Sequence, residues 1–389
     1  MILLTFLLST ALLLISTKSR ELKFYFFSVL ILTVIVHLVF AIEFSITSDS
    51  EYFVSDEIIY AYLGEGLDQL AIQDRWFWIV LNKLAKYPLE DPWFAQKFIN
   101  LIALPLYFYV LYKMLDSALG ALLIFIFFPY LFYMFQVDLR DMTAFVLFMS
   151  ACYFFFHYDV KIFYRLTLVV LCLFALVFLR PFYVPIIIVS LGISVALKNI
   201  VSNFRLNPIT LLKSILLLGF VIAIFIFSNS IELFYRFFGR AEYVLENGIQ
   251  TLDGTVVSFS TGYAVQSIIR FFATPIPISL FSQVFVHGNS DYGYTHDVLR
   301  IISQFSLYFF ILFFMYLSLK KPGAMIKVII HPPRLAFFIG IILTVVIYSI
   351  YFGGGSHTRI KIGIYHLFFI PCAIIYKDYF LGVSNRSNK

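Results

Sequence analysis

Charge is what this chain has least of. Only 13% of its 389 residues are Asp, Glu, Lys or Arg, against about a quarter in an ordinary soluble domain. So few charges cannot cover a chain that is 61% hydrophobic with a mean hydropathy of +0.93, which excludes a water-soluble globule. Cysteine is nearly absent. Cys152, Cys172 and Cys372 each sit in an apolar run, so neither a disulfide framework nor a cysteine metal cluster is encoded. They read as small buried hydrophobes. The phosphate-cradling pattern G-x-x-x-x-G-K-S/T is missing, which argues against an ATP-driven pump in one chain. No HExxH or comparable metal spacing occurs, and the histidines stand apart from one another. There is no repeat of fixed period, no low-complexity tract and no appended soluble domain. No basic cluster is interleaved with stacking aromatics, so the net charge of +6 does not signal nucleic-acid binding.

Long apolar runs are abundant. Several reach the roughly 18–20 residues that cross a bilayer core as a helix, and the alternating ten-residue segments of a membrane barrel are missing. Helices are expected near 1–16, 24–44, 98–112, 118–135, 142–156, 166–179, 182–197, 214–230, 301–319, 335–352 and 362–376. The fold class is therefore all-α integral membrane, about eleven spans forming a single polytopic domain over 1–389. Segment 1–16 lacks a basic leader and is followed by Lys18, Arg20 and Lys23. It reads as a retained short helix with its N-terminus outside rather than as a signal peptide. Phe and Tyr are numerous, at 48 and 26. Tyr suits membrane interfaces and Phe suits lipid-facing surface, although AT-rich coding would enrich both.

The loops between these helices carry two unlike sets of charge. One set, from Lys18 through Lys113, Lys161, Lys198 and Lys320 to Lys389, holds sixteen basic residues and four acids. The other holds eighteen of the 22 acids. The positive-inside rule places the first set in the cytoplasm, giving N-out and C-in. Two of the outward loops are long, 45–97 with Trp76, Trp78 and Trp93, and 231–300 with four arginines. Loops of such length usually carry function or structure. Short amphipathic helices on the outer leaflet are expected in them, and together they form the substrate-binding part.

Nearly all chemistry-bearing residues fall in the outward set. Asp56 and Glu57 follow the second helix. Paired carboxylates there can act as a general base or bind a divalent metal, and they would equally cap and polarise a helix running 57–70. Asp138, Arg140 and Asp141 crowd one short connection. They can serve a polar ligand, with Asp141 as a further catalytic candidate, or simply pair with each other. Arg140, Arg180, Arg270 and Arg359 each stand in a polar island between apolar runs. Guanidinium forks suit phosphate and stay charged beside lipid, while snorkelling accounts for any one of them alone. Gly353, Gly354 and Gly355 would let backbone N–H groups approach the same anion, and His357 is a candidate phosphate donor or acid. His287, His296 and His366 read as non-ligands, and His37 as a buried polar contact.

An apolar helix followed by Asp56-Glu57-Ile58-Ile59-Tyr60 resembles the first outer loop of GT-C type membrane glycosyltransferases. Phe128-Pro129-Tyr130, Leu139-Arg140-Asp141, Leu179-Arg180-Pro181, Arg270 with Pro275-Ile276-Pro277, and Gly355 with Arg359 resemble landmarks of the O-antigen and capsule repeat-unit polymerases. The resemblance implies a bacterial inner-membrane enzyme with an outward-facing site. It implies polyprenyl-linked sugars as donor and acceptor, an Asp or Glu base, and arginines on a lipid pyrophosphate. The chain departs from the GT-C pattern in its extra first helix. Other polysaccharide-assembly proteins are expected partners, and nucleic acid is not. Three alternatives stand beside this one: a GT-C enzyme adding one sugar from polyprenyl monophosphate, a polysaccharide or lipid flippase or transporter, and a membrane acyltransferase, for whose buried histidine His37 and His366 are poor candidates.

Overall fold

The structure, a computed structural model, describes residues 76–86, 99–137, 139–157, 161–201, 249–250, 256–257, 261–286, 294–352 and 361–379, with isolated positions from 23 to 35. The expected helices at 1–16 and 214–230 lie outside the described residues, as do Asp56, Glu57, Asp138, His357 and Arg359. The described elements are helical apart from one small hairpin. They are α1 (Trp76–Lys86), a 3-10 turn (Ile99–Ala103), α2 (Leu104–Leu115), α3 (Ala118–Phe127), α4 (Pro129–Met134), α5 (Arg140–Phe155), α6 (Ile162–Leu179), α7 (Tyr183–Val201), α8 (Thr261–Ala273), α9 (Pro277–Phe281) with a following π turn, α10 (Tyr294–Lys320), α11 (Pro322–Ile330), α12 (Pro332–Phe352) and α13 (Ile362–Tyr379). The strands β1 (Ile249–Gln250) and β2 (Val256–Val257) pair antiparallel, Ile249 opposite Val257.

This is a helical membrane protein. Among the described residues, three helices are long and apolar enough to span: Ile162–Leu179, Thr295–Lys320 and Pro332–Ser349. Two interrupted apolar pairs would raise the number to five. Only 28% of the first span is buried within the protein, and Phe163, Leu171 and Phe174 stand more than half exposed. An apolar helix bare on most of its sides belongs in hydrocarbon. Phe24, Phe27, Ile31 and Ile35, helical positions at three- and four-residue spacing, are exposed in the same way.

Several boundaries differ from the sequence expectation. The run 118–135 is two helices, because Pro129 lacks the N–H needed to continue α3 and starts α4 instead. The helices α2 and α3 fold back at 114°. At about 1.5 Å per residue neither crosses a core of about 30 Å alone, so they form one broken span or a re-entrant pair. The turn between them is built by Asp116, the only described non-glycine residue with positive φ, and by Ser117, whose Oγ accepts from the Gly120 N–H at 3.0 Å. The connection 320–334 contains α11, opened by Pro322, and Pro332 opens α12.

The chain divides into two compact units. The first comprises Met1–Ser150, Pro275–Val328 and Ile362–Lys389; the second comprises Ala151–Thr274 and Ile329–Lys361. The first has an aromatic core, in which Tyr107, Phe125 and Phe135 cluster and Phe128 stacks on Tyr365 with ring centres 4.6 Å apart. The helices α2 and α13 run in the same sense, since Tyr107 meets His366 and Asp116 meets Lys377. The leading turns of α10 lie at the leading end of α13. Phe128 stacks on Tyr365 there, and Tyr130, two residues on, reaches His296 and Ser303. In the second unit α7 and α8 both pack on α12, with Phe182 edge-on to Tyr348.

Candidate functional site

Ionisable side chains in the first unit gather where α2, α10 and α13 begin. A 27-residue helix is about 40 Å long by its rise. The first turns of α10 can therefore carry charge at the membrane edge while its middle crosses. They carry His296, Asp297 and Arg300, all nearly buried. Asp297 in the first turn answers the positive end of the helix dipole. Arg300, one turn on, donates from Nη1 to Asp297 Oδ1 at 2.9 Å. His296 Nδ1 lies 3.1 Å from the same oxygen, and its Nε2 lies 3.1 Å from the Tyr130 hydroxyl. The rings of Tyr130 and Tyr133 stand edge-on to His296 at 5.2 and 5.6 Å. Ser303 Oγ accepts the Tyr130 backbone N–H at 3.0 Å, which satisfies an orphan donor at the start of α4.

Arg140 and Asp141 open α5 in the same unit, Arg140 buried and Asp141 partly so. Asn100 fixes the turn before them. Its Nδ2 donates to the carbonyls of Val137 and Leu139, and its Oδ1 accepts from Thr143 Oγ1 at 2.6 Å. Gln136 and Tyr365, in the same unit, are fully buried, and their side-chain polar atoms have no hydrogen-bond partner. Polar groups buried in this way are uncommon and call for a reason.

The second unit holds Arg180 and Arg270. Arg180 closes α6, its N–H donating to Leu176 at 2.8 Å, and the turn Arg180–Tyr183 leads directly into α7. Arg270 is exposed in the last turn of α8, where a cation complements the dipole. Thr274 caps that turn through its N–H and hydroxyl, both donating to the Arg270 carbonyl. Lys361 is fully buried; its Nζ lies 3.3 Å from Thr274 Oγ1 and 5.1 Å above the Phe271 ring. Lys361 lies 87 residues after Thr274, so the islands around Arg270 and Lys361 meet through this contact.

Arg140 with Asp141, and Arg180 with Arg270, are therefore described in two separate units. Four groups prominent in the structure have no site role in the sequence: Tyr130, which figures only in the Phe128-Pro129-Tyr130 landmark, Arg300, one of the four arginines of 231–300, its partner Asp297, and Lys361. The i,i+3 spacing of acid and arginine in a helix's first turns was the available signal for the pair. His296, an isolated histidine in the sequence, lies within hydrogen-bonding distance of both Tyr130 and Asp297. The three cysteines are buried and free, as expected. Among the described residues no group of three or more His, Cys, Asp or Glu side chains is placed to hold a metal. No protein-family model matches the chain, and no curated protein or solved structure matches it.

Proposed function

We propose that this chain is an integral-membrane glycosyltransferase. It works at the outer face of a bacterial inner membrane on polyprenyl-linked sugars during surface-polysaccharide synthesis, as a repeat-unit polymerase. One observation carries the reading. The leading ends of α2, α10 and α13 hold His296, Asp297 and Arg300 and the Asn100-anchored Arg140. Their trailing ends hold Lys113, Lys320 and Lys377. This is the separation that the positive-inside rule assigns to an outward site and a cytoplasmic base. The meeting of the Arg270 and Lys361 islands supports a cationic site on the donor phosphate.

In this mechanism arginines 140, 180, 270 and 359, with His357, hold the lipid phosphate and stabilise the charge it gains on leaving. Asp56 or Glu57 takes the proton of the acceptor hydroxyl as its oxygen attacks the anomeric carbon, and Asp141 is a further carboxylate for that role. The sugar–phosphate bond breaks and the new glycosidic bond forms in one displacement, so no covalent enzyme intermediate is needed. The test is replacement of Arg270 and Arg359 by Ala and Asp56 by Asn, followed by electrophoresis of surface polysaccharide. The long-chain ladder should collapse to a single repeat in each variant at normal protein level. A normal ladder in all three refutes the assignment. Loss of one branch or core sugar, with a monophosphate donor accepted and a diphosphate refused, identifies a single-sugar transferase instead.

A flippase is favoured by one specific observation, the 114° break between α2 and α3. Broken apolar helices build the substrate sites of many transporters. Lipid-linked sugar moving across vesicles without any new glycosidic bond would decide for it.

A further inference from the structure

Charge of one sign gathers where α10 ends. Between Asp297 and Asp378 the sequence contains no Asp or Glu. Within that stretch Lys320 closes α10, Lys321 follows it, and Lys327 stands on α11. All three lysines are exposed. At about 1.5 Å per residue the nine residues of α11 reach about 14 Å, too short to cross a core of about 30 Å. The span that ends at Lys320 is therefore followed by a helix that stays at the same membrane face.

This helix is two-sided. Ala324, Met325 and Val328 are buried, whereas Gly323, Ile326 and Lys327 are exposed on the opposite face. Each bare apolar side chain here is followed at once by a lysine: Leu319, 85% exposed, by Lys320, and Ile326, 55% exposed, by Lys327. Hydrocarbon beside a cation suits the level where acyl chains meet head groups. Tyr316 marks the same level, since Tyr favours membrane interfaces. Its ring is half exposed, and Lys320 Nζ lies 5.2 Å from the ring centre and donates to its hydroxyl at 2.7 Å. At the trailing end of α2, Lys113 Nζ stands 5.9 and 5.7 Å from the ring centres of Tyr109 and Tyr112. Among the described residues, the trailing ends of α2, α10 and α13 together with α11 carry five lysines, against Asp116 and Asp378. Asp116 is already paired with Lys377.

We propose that the end of α10 and the exposed face of α11 form a binding surface for anionic phospholipid head groups. The ammonium groups of Lys320, Lys321 and Lys327 attract the lipid phosphate, while Leu319 and Ile326 enter the acyl layer beneath it. A zwitterionic head group brings its own cation and leaves the excess positive charge of this pole unanswered. A head group of net negative charge cancels it, so the surface sorts lipids by charge. An acidic soluble partner would match the lysines but not the bare Leu319 and Ile326; a lipid matches both. The positive-inside rule assigns these lysines a side of the membrane and says nothing of which lipid they collect. The surface lies at the pole opposite His296, Asp297 and Arg300, and it stands whether or not sugar transfer is demonstrated.

The experiment places the full chain in phosphatidylcholine vesicles with a bimane fluorophore on Gly323→Cys. A Cβ at Gly323 meets nothing within 4 Å among the described residues, and the native cysteines are buried. A small share of the lipid is phosphatidylglycerol or phosphatidylcholine bearing a nitroxide high on its acyl chain. Quenching of the fluorophore then reports which lipid collects beside α11. Labelled phosphatidylglycerol should quench more strongly than labelled phosphatidylcholine, and added salt should narrow the gap. Each of Lys320→Gln, Lys321→Gln and Lys327→Gln should lower the preference by up to about fivefold, the factor for one lysine at an anionic lipid surface. Arg at the same three positions keeps the charge and should keep the preference, which separates lost charge from lost folding. Equal quenching by the two lipids overturns the proposal. So does the absence of quenching by either, which would put α11 in water or against another protein. A preference that survives all three Lys→Gln changes together overturns it as well.

Discussion

Lys377 donates from its ammonium group to the backbone carbonyl of Asp116, 261 residues earlier, and lies 3.6 Å from that residue's carboxylate. Asp116 is the left-handed residue that ends α2, so its carbonyl is one that no helix satisfies. A lysine from the far end of α13 supplies the donor. This contact ties the trailing ends of two helices that begin at the same pole.

The first prediction concerns sidedness. Cysteines placed at 116 and 377, in a background free of the native three, should react with a membrane-impermeant maleimide from the same side. The proposed orientation requires that side to be the cytoplasm. Labelling from opposite sides would contradict the helix pairing itself, and labelling of both from outside would invert the functional reading.

Backbone strain gives the second. The φ of 49° at Asp116 is a conformation that Asp tolerates and β-branched residues do not. Asp116→Val should lower stability by about 1–2 kcal/mol, whereas Asp116→Gly should leave it unchanged or raise it by up to about 1 kcal/mol. Thermal unfolding in detergent reads both.

The third rests on Tyr107 and His366, hydrogen-bonded at 2.7 Å in the aromatic core, with His366 Nδ1 held by the Ile362 carbonyl at 2.8 Å. Nδ1 donates to that carbonyl, so Nε2 accepts from the phenol. Tyr107→Phe strands a buried acceptor and should cost about 1–3 kcal/mol. Adding His366→Leu should recover much of that loss, because an apolar pair leaves nothing unsatisfied. A double-mutant cycle with no coupling would refute the bond.

Arg300 and Arg270 should behave oppositely, which is the fourth prediction. Arg300→Ala takes from the buried Asp297 the guanidinium that donates to it at 2.9 Å and should destabilise the fold by about 3–5 kcal/mol, seen as low protein level. Arg270 is exposed, and its loss should change stability by less than about 0.5 kcal/mol. Arg270→Ala should accumulate normally and still abolish the polysaccharide ladder.

Helix positions were legible wherever an apolar run was long and uninterrupted, as at 166–179 and 335–352, which became α6 and α12. What sequence could not show was how charge satisfies itself. His296, Asp297 and Arg300 looked like loop residues because each alone disfavours a membrane helix. Paired together they extend α10 back to Tyr294, well before the expected start at 301. Pro129 was visible, yet a proline at a helix's first turn and one inside a helix look alike in sequence. Pro371, inside α13, interrupts nothing. The candidate arginines were legible as polar islands. That Lys361 meets the Arg270 island depends on a contact with Thr274, 87 residues earlier, which no local pattern encodes.

The first unit is assembled from three stretches of chain, with α13 supplied by the last of them. Ribosomes add roughly 5–20 residues per second, so α2 waits on the order of ten seconds to a minute for its mate. During that interval the Tyr107 hydroxyl has no native partner, and hydrocarbon offers it none. Insertion must therefore hold the start of α2 near headgroups or beside a helper protein until translation delivers His366.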